Sequence, residues 1–195
     1  MTRALFVIDI QNDFTEGGAL GVAGGARVAQ AVTDHLGGPR AVDYDVVVAS
    51  RDWHDGNGDN GGHFSADPDY VTTWPVHCVR GTPGAEYHPA LDVSAVDVHV
   101  RKGTGEPAYS LFEGRAEDGR SVPDVLAEHG VTEVDVVGLA TDHCVRASAL
   151  DAVAQGLRVR VLTDLVAGVA PGTTAAALDE LRAAGVETVT AGEAS

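Results

Sequence analysis

The chain has almost no lysine. Of its 13 basic side chains in 195 residues, only Lys102 is lysine and the other twelve are arginine. Where arginine has taken nearly every surface position, a surviving lysine marks a place that needs a compact ammonium of adjustable pKa; chance survival is the plain alternative. The chain is also poor in cysteine. Cys78 and Cys144 alone make no disulfide framework, which favours free thiols. No apolar run approaches the roughly 20 residues of a membrane-spanning helix. Met1-Thr2-Arg3 leads straight into Ala4-Leu5-Phe6-Val7-Ile8, so no export signal is expected and the expected location is cytoplasmic. Positive charge is scarce as well, with 29 acids giving a formal net charge of −16. That balance excludes a diffuse phosphate-binding footprint, so neither nucleic acid nor an anionic membrane is expected as a partner. A small neutral or cationic substrate suits it better. Many of the carboxylates simply keep the surface soluble.

What is present is a regular alternation of β and α patterns. Strands are expected at about 4–9, 45–50, 96–102, 133–139, 158–163 and 186–190. Between them, Val28-Val32-Leu36 marks one helical face that stops at Gly37-Gly38, and Pro123 opens a short helix ending at Gly130. Val145-Ala149-Val153 lines a third helix, with Thr141 or Asp142 as its candidate N-cap, and Thr173 begins a fourth. The pattern predicts one α/β domain over 1–195, a three-layer α/β/α fold around a mainly parallel sheet of about six strands. Residues 51–95 break the rhythm. They are irregular, rich in Gly, Asp, His and Pro, and too long for an idle connection. A functional excursion is expected there.

The strand ends carry the chemistry. The first strand closes at Asp9, the second runs into Asp52, the third closes at Lys102, and the fourth leads into Thr141-Asp142-His143-Cys144. In a parallel sheet these ends share one rim, where open α/β folds bind their ligands. Cys144 is the candidate nucleophile, its thiol expected to be acidified by a helix N-terminus and by the Lys102 ammonium. Asp9 is placed to take and return a proton. The bland readings are a buried small cysteine and a solvated strand cap. They lose weight because four reactive groups meet at one rim.

The excursion adds Asp52-Trp53-His54, His63 and His77. Alternate residues of an extended segment project to one side, so Asp52 and His54 can reach one ion. Carboxylate plus imidazole suits zinc, iron or manganese without choosing among them. Exposed glycine-rich loops also gather Asp and His with no metal. His88 and Cys78 rank lower as ligands, and His35, His99 and His129 are expected at the surface.

Together these segments resemble the isochorismatase-like cysteine hydrolases. The residues that carry the likeness are Val7-Ile8-Asp9-Ile10-Gln11-Asn12-Asp13-Phe14, Lys102 after its strand, and Gly138-Leu139-Ala140-Thr141-Asp142-His143-Cys144-Val145. Arg51-Asp52-Trp53-His54, His63-Phe64-Ser65, Trp74-Pro75-Val76-His77-Cys78-Val79 and Gly81-Thr82-Pro83-Gly84 are similar to the nicotinamidase (pyrazinamidase) branch. The resemblance implies a triad at Asp9, Lys102 and Cys144, and a divalent metal on Asp52, His54, His63 and His77. It also implies an oxyanion hole from the Ala140 and Cys144 amides after a cis Leu139–Ala140 peptide. Phe14, Trp74, Tyr109 and His143 would line an aromatic-amide pocket, with ordinary core packing as their alternative. The implied reaction takes nicotinamide, and pyrazinamide as a second substrate, to the acid and ammonia through a thioester. A sister amidase acting on a carbamoyl or ureido substrate would keep the triad without needing the Asp/His set. A phosphoacceptor module with Asp52 as acceptor is the remote alternative. Homo-oligomerisation stays open. Asp55-Gly56-Asn57-Gly58-Asp59-Asn60-Gly61-Gly62 is longer than the family pattern, and a slack loop there would displace His63 and leave Asp59 as a substitute ligand.

Overall fold

The computed structural model describes residues 2–194. Seven strands form one sheet: β1 (Arg3–Ile8), β2 (Val46–Asp52), β3 (Val98–Lys102), β4 (Arg115–Ala116), β5 (Glu133–Leu139), β6 (Arg158–Ala167) and β7 (Glu187–Val189). Their order across the sheet is β4-β3-β2-β1-β5-β6-β7, parallel except where β4 runs against β3. The helices are α1 (Gly25–Leu36), α2 (Val122–Glu128), α3 (Arg146–Ala154) and α4 (Pro171–Ala183).

Alternation along the strands makes two cores. Ala4, Phe6, Ile8, Val46, Val48, Val134 and Val136 face α2, α3 and Leu181 of α4. Leu5, Val7, Val47, Ala49, Val137 and Leu139 face Val28, Val32 and Leu36 of α1. β1, buried on both faces, is therefore nearly continuous in apolar side chains, while β5 is so only after Glu133 and Asp135, which pair with Arg3 and Arg160. The chain runs outward from β1 to β4 and then returns to place β5 on the other side of β1. That reversal puts a crevice at the carboxyl ends of β1 and β5.

The sequence-level boundaries need four corrections. β4 was not expected, because two residues are too few to show a period. The last helix opens at Pro171 rather than Thr173, since proline suits the first turn. The short helix begins at Val122, with Pro123 inside its first turn, and is capped by Ser121, whose hydroxyl accepts from the Asp124 amide at 3.3 Å. Neither Thr141 nor Asp142 caps α3: the chain enters it through a wide turn, Thr141–Val145, in which Val145 N–H donates to the Ala140 carbonyl at 3.2 Å. The Leu139–Ala140 peptide before that turn is cis, as the resemblance implies. Among the described residues, no helix is long and apolar enough to cross a membrane.

Candidate active site

Asp9, at the end of β1, turns the chain out of the sheet with φ +46°. Left-handed backbone is uncommon for a residue with a side chain and is a usual mark of functional positions. Its carboxylate is fully buried. Ser50 Oγ donates to Asp9 Oδ1 at 2.7 Å, and Lys102 Nζ lies 2.9 Å from Oδ2. Lys102 also donates to Asp52, its cross-strand partner on β2. Cys144 Sγ is 3.6 Å from the same ammonium. One buried cation therefore touches two carboxylates and the thiol.

The charges balance against their burial. For Lys102 burial works against the ammonium, yet the Asp52 and Asp9 carboxylates hold its pKa well above the lysine value. Burial works against an ionised Asp52 as well, but Lys102 and the neighbouring His54 and His77 keep it far below the ordinary carboxylate range. Asp9 goes the other way. Desolvation raises it against the pull of Lys102, and the Asp52 charge adds to the rise. Two carboxylates with opposite shifts on one ammonium are suited to different work, Asp52 as a permanent charge and Asp9 as a proton carrier.

The thiol does not behave as the sequence suggests. Burial pushes Cys144 well above the ordinary thiol value, outweighing the downward pull of Lys102, and Asp9 and Asp52 raise it further. The reason is local. Cys144 sits inside the wide turn among buried neighbours, and the nearest charges include two carboxylates as well as the lysine. The thiol needs a base, and Asp9 is there.

Beside this trio, His54, His63 and His77 bring ring nitrogens within 4.8 Å of one another, all three buried. Asp52 Oδ2 faces His54 Nε2 at 3.6 Å and His77 Nε2 at 3.7 Å. The gathered imidazoles fit a divalent transition metal. His54 Nδ1 is held by the Gly103 carbonyl at 2.7 Å and His77 Nδ1 by the Pro75 carbonyl at 2.8 Å, which leaves each Nε2 as the free lone pair. His54 Nε2 and His63 Nδ1 are buried with no hydrogen-bond partner, a state that a bound cation relieves. Burial, followed by the neighbouring His54 and His77, lowers the His63 pKa to about 4, favouring the neutral form that ligates metals. Asp59, the suggested substitute, is exposed and lies outside the cluster.

A cavity of about 320 Å³ opens onto both groups. Phe14, Trp74, Tyr109 and His143 line it with Asp52, His63, His77, Ala140 and Cys144. Trp74 Nε1 donates to the Tyr109 hydroxyl at 3.0 Å, and the Trp74 and His143 rings meet edge to face at 5.1 Å. The walls suit a flat aromatic ring whose polar end reaches Cys144.

The isochorismatase domain profile matches residues 3–193. The chain belongs to the isochorismatase family. It is 55% identical over 187 residues to the nicotinamidase/pyrazinamidase of Mycobacterium tuberculosis, covering 96% of this chain and 98% of that one. Among solved structures it resembles the pyrazinamidase of Pyrococcus horikoshii in complex with zinc, with a TM-score of 0.81 at 36% identity over 97% of this chain and 99% of that one. It also resembles the PnC1 protein of L. infantum in complex with nicotinate, with a TM-score of 0.84 at 32% identity over 98% and 93%.

Within this isochorismatase-family site, further residues hold the reactive ones in place through contacts that the sequence alone does not show. Gln11 is fully buried. Its side-chain amide donates to the Asp52 carbonyl at 2.9 Å and accepts from the Asp52 N–H at 2.8 Å, extending the sheet by one bridge. Asp13 accepts from the Cys78 amide at 2.7 Å, next to His77. Asp142, flagged as a cap, instead accepts from Val169 N–H at 2.9 Å and from the Thr173 hydroxyl, tying the nucleophile turn to the start of α4. Gln11 and Asp13 stand in the segment that carries the resemblance, but nothing local shows what they touch. His35 and His99, expected at the surface, are half-buried and bonded to the Tyr44 and Tyr87 hydroxyls at 2.8 and 3.1 Å. Cys78 is buried and His88 accepts from the Ala90 amide at 3.1 Å, so neither joins the histidine cluster.

Proposed function

We propose that the protein is a metal-dependent cysteine amidohydrolase that converts nicotinamide to nicotinate and ammonia, with Asp9, Lys102 and Cys144 as its catalytic residues. The observation that carries this reading is Lys102. Its ammonium joins Asp9, Asp52 and Cys144 beneath an aromatic-walled cavity, beside three converging histidines of which His63 and His77 reach the cavity wall. The M. tuberculosis relative named nicotinamidase/pyrazinamidase supports the choice of substrate, and pyrazinamide follows as a second one.

Asp52, His54, His63 and His77 would hold the metal, which when bound supplies a Lewis-acidic anchor for the ring nitrogen of the substrate. The chain's own residues carry the covalent steps. Phe14, Trp74, Tyr109 and His143 hold the ring and set the carboxamide over Cys144. Asp9 removes the thiol proton as the sulfur forms its bond to the carboxamide carbon. The carbonyl electron pair moves to oxygen, where the backbone amides of Ala140 and Cys144 receive it. Asp9 then gives its proton to the nitrogen, the C–N bond breaks, and ammonia leaves a nicotinoyl thioester on Cys144. Water enters, Asp9 takes its proton, and the hydroxide oxygen replaces sulfur at the acyl carbon. Nicotinate departs and the thiol is restored. Lys102 stays protonated throughout and keeps the two carboxylates at bonding distance.

Acid-quenching the enzyme during turnover and weighing the peptide that contains Cys144 tests the thioester. An adduct of nicotinoyl mass supports covalent catalysis. A consistently unmodified peptide under conditions of full turnover contradicts it. The carbamoyl or ureido reading gains nothing from the histidine cluster, which that chemistry does not need. A phosphoacceptor role for Asp52 is disfavoured because its carboxylate is already engaged by Lys102 and the two histidines.

A further inference from the structure

The eight residues 55–62 between His54 and His63 include four glycines. Such a bridge has high conformational freedom, a poor tether for a metal ligand. One of its residues behaves differently. Asn60 is 3% exposed while residues 56–59, 61 and 62 are exposed. Its backbone is left-handed, φ +49°, a conformation that Asn tolerates better than most residues.

Every polar group of the Asn60 side chain is used. Oδ1 accepts from the Asp55 N–H at 2.9 Å and from the Gly105 N–H at 3.2 Å, and Nδ2 donates to the Asp55 carbonyl at 3.0 Å. Asp55 is the residue after His54. Gly105 belongs to the segment whose Gly103 carbonyl holds His54 Nδ1 at 2.7 Å. On the other side, the Asn60 carbonyl accepts from the His63 N–H at 3.3 Å, and the Asp59 carbonyl accepts from Phe64 N–H at 2.8 Å. Gly61 lies against Pro107 so closely that a Cβ there would sit 3.1 Å from Pro107 Cδ. The side-chain amide thus fastens the chain leaving His54 to the segment that orients His54, and the backbone carbonyl of the same residue holds the turn that delivers His63.

We propose that Asn60 is a positioning residue of the metal site, closing the glycine-rich bridge so that His54 and His63 are held at ligating distance before the ion binds. The staple leaves two free residues, 61 and 62, between it and His63 instead of eight between the ligands. Less order is then lost when the ion binds. This rests on reading His54, His63 and His77 as ligands. It adds that the affinity of the site depends on a residue that never touches the metal.

The test uses Co²⁺ alone as the probe, read by its ligand-field absorption and by competition with a chelator, on wild type, Asn60→Gly and Asn60→Asp. Asn60→Gly keeps the left-handed backbone and removes the staple. Asn60→Asp keeps the two acceptor bonds. Affinity for Co²⁺ should fall about 10- to 100-fold in Asn60→Gly, the usual scale for losing an outer partner of a metal site. The metal-free variant should still fold and unfold in one cooperative transition, its melting temperature lowered by the roughly 2–8 °C that a loss of about 1–2 kcal/mol produces in a chain of this length. Asn60→Asp should recover most of the affinity, and excess metal should restore ammonia release to both variants. Wild-type affinity in Asn60→Gly overturns the proposal. So does a metal-free Asn60→Gly that fails to fold, because Asn60 would then serve the fold as a whole. A wild-type protein that binds no Co²⁺ removes the metal reading itself, and the proposal with it.

Discussion

Replacing Lys102 by methionine isolates the charge at the centre of the site. The two side chains have similar length, so packing changes little while the ammonium disappears. Asp9 and Asp52 are then left facing each other, 0% and 2% exposed. Removing one partner from a buried ion pair costs about 3–5 kcal/mol, a large part of the 5–15 kcal/mol typical of a domain. The cost should depend on pH in a definite direction. Burial already raises Asp9 with Lys102 present, and the Asp52 charge adds to it. Without the cation one carboxylate must bind a proton near neutrality, so its folded pKa rises further above the unfolded value of 3.8. A carboxylate whose folded pKa is raised loses stability as pH rises through the interval between the two values. The deficit of Lys102→Met relative to wild type should therefore be small near pH 4 and grow by up to about 1.4 kcal/mol per pH unit until the variant carboxylate has titrated. Urea unfolding of the chelator-treated proteins across pH 4–8 measures this directly. A deficit below about 1 kcal/mol at pH 7, or one that does not change with pH, would refute the picture of a cation shared by two buried carboxylates.

Other consequences can be checked separately. In metal-free enzyme, alkylation of Cys144 by iodoacetamide should accelerate only above the ordinary thiol range, since burial raises its pKa above 9.0; a plateau already reached at pH 7, read by mass at the Cys144 peptide, would contradict that. Gly103→Ala should weaken metal binding sharply, because Gly103 has φ +79° and a Cβ there would lie 2.5 Å from His54 Cε1; equilibrium dialysis with zinc measures it, and unchanged affinity would count against His54 as a ligand. Asp142→Ala takes the acceptor from the Val169 and Ala170 amides and leaves the Thr173 hydroxyl only the Ala170 carbonyl, so the fold should lose roughly 1–3 kcal/mol in urea unfolding. Because Val169 lines the cavity, KM should also rise more than kcat falls.

Much of the site was legible because reactive residues in a parallel sheet collect at strand ends. Asp9, Asp52, Lys102 and Cys144 could each be placed on one rim from β/α alternation, and the structure brings them together. The histidines of the excursion were legible as a set, though their convergence depends on contacts between Gly103 and His54 and between Pro75 and His77 that have no local signature. Gln11 illustrates the limit. It looks like one more polar residue after a strand, and its partners lie 41 and 74 positions away. The raised pKa of Cys144 escapes the sequence for a related reason: the wide turn in place of a capped helix start, the burial of the thiol and the field of two carboxylates are all tertiary facts. The two-residue β4 and the wide turn before α3 left no period to detect. Asn60 looked like part of a slack glycine-rich loop, and only its buried amide shows that the loop is fastened.

The most direct measurement is ammonia release from nicotinamide by metal-loaded protein, with Cys144→Ala prepared and loaded identically. The account predicts steady turnover by the wild type and none by the variant, with both proteins folded and binding the same amount of metal. Turnover that survives the loss of the thiol would contradict the covalent mechanism. A folded, metal-loaded wild type that releases no ammonia would contradict the assignment of nicotinamide as substrate.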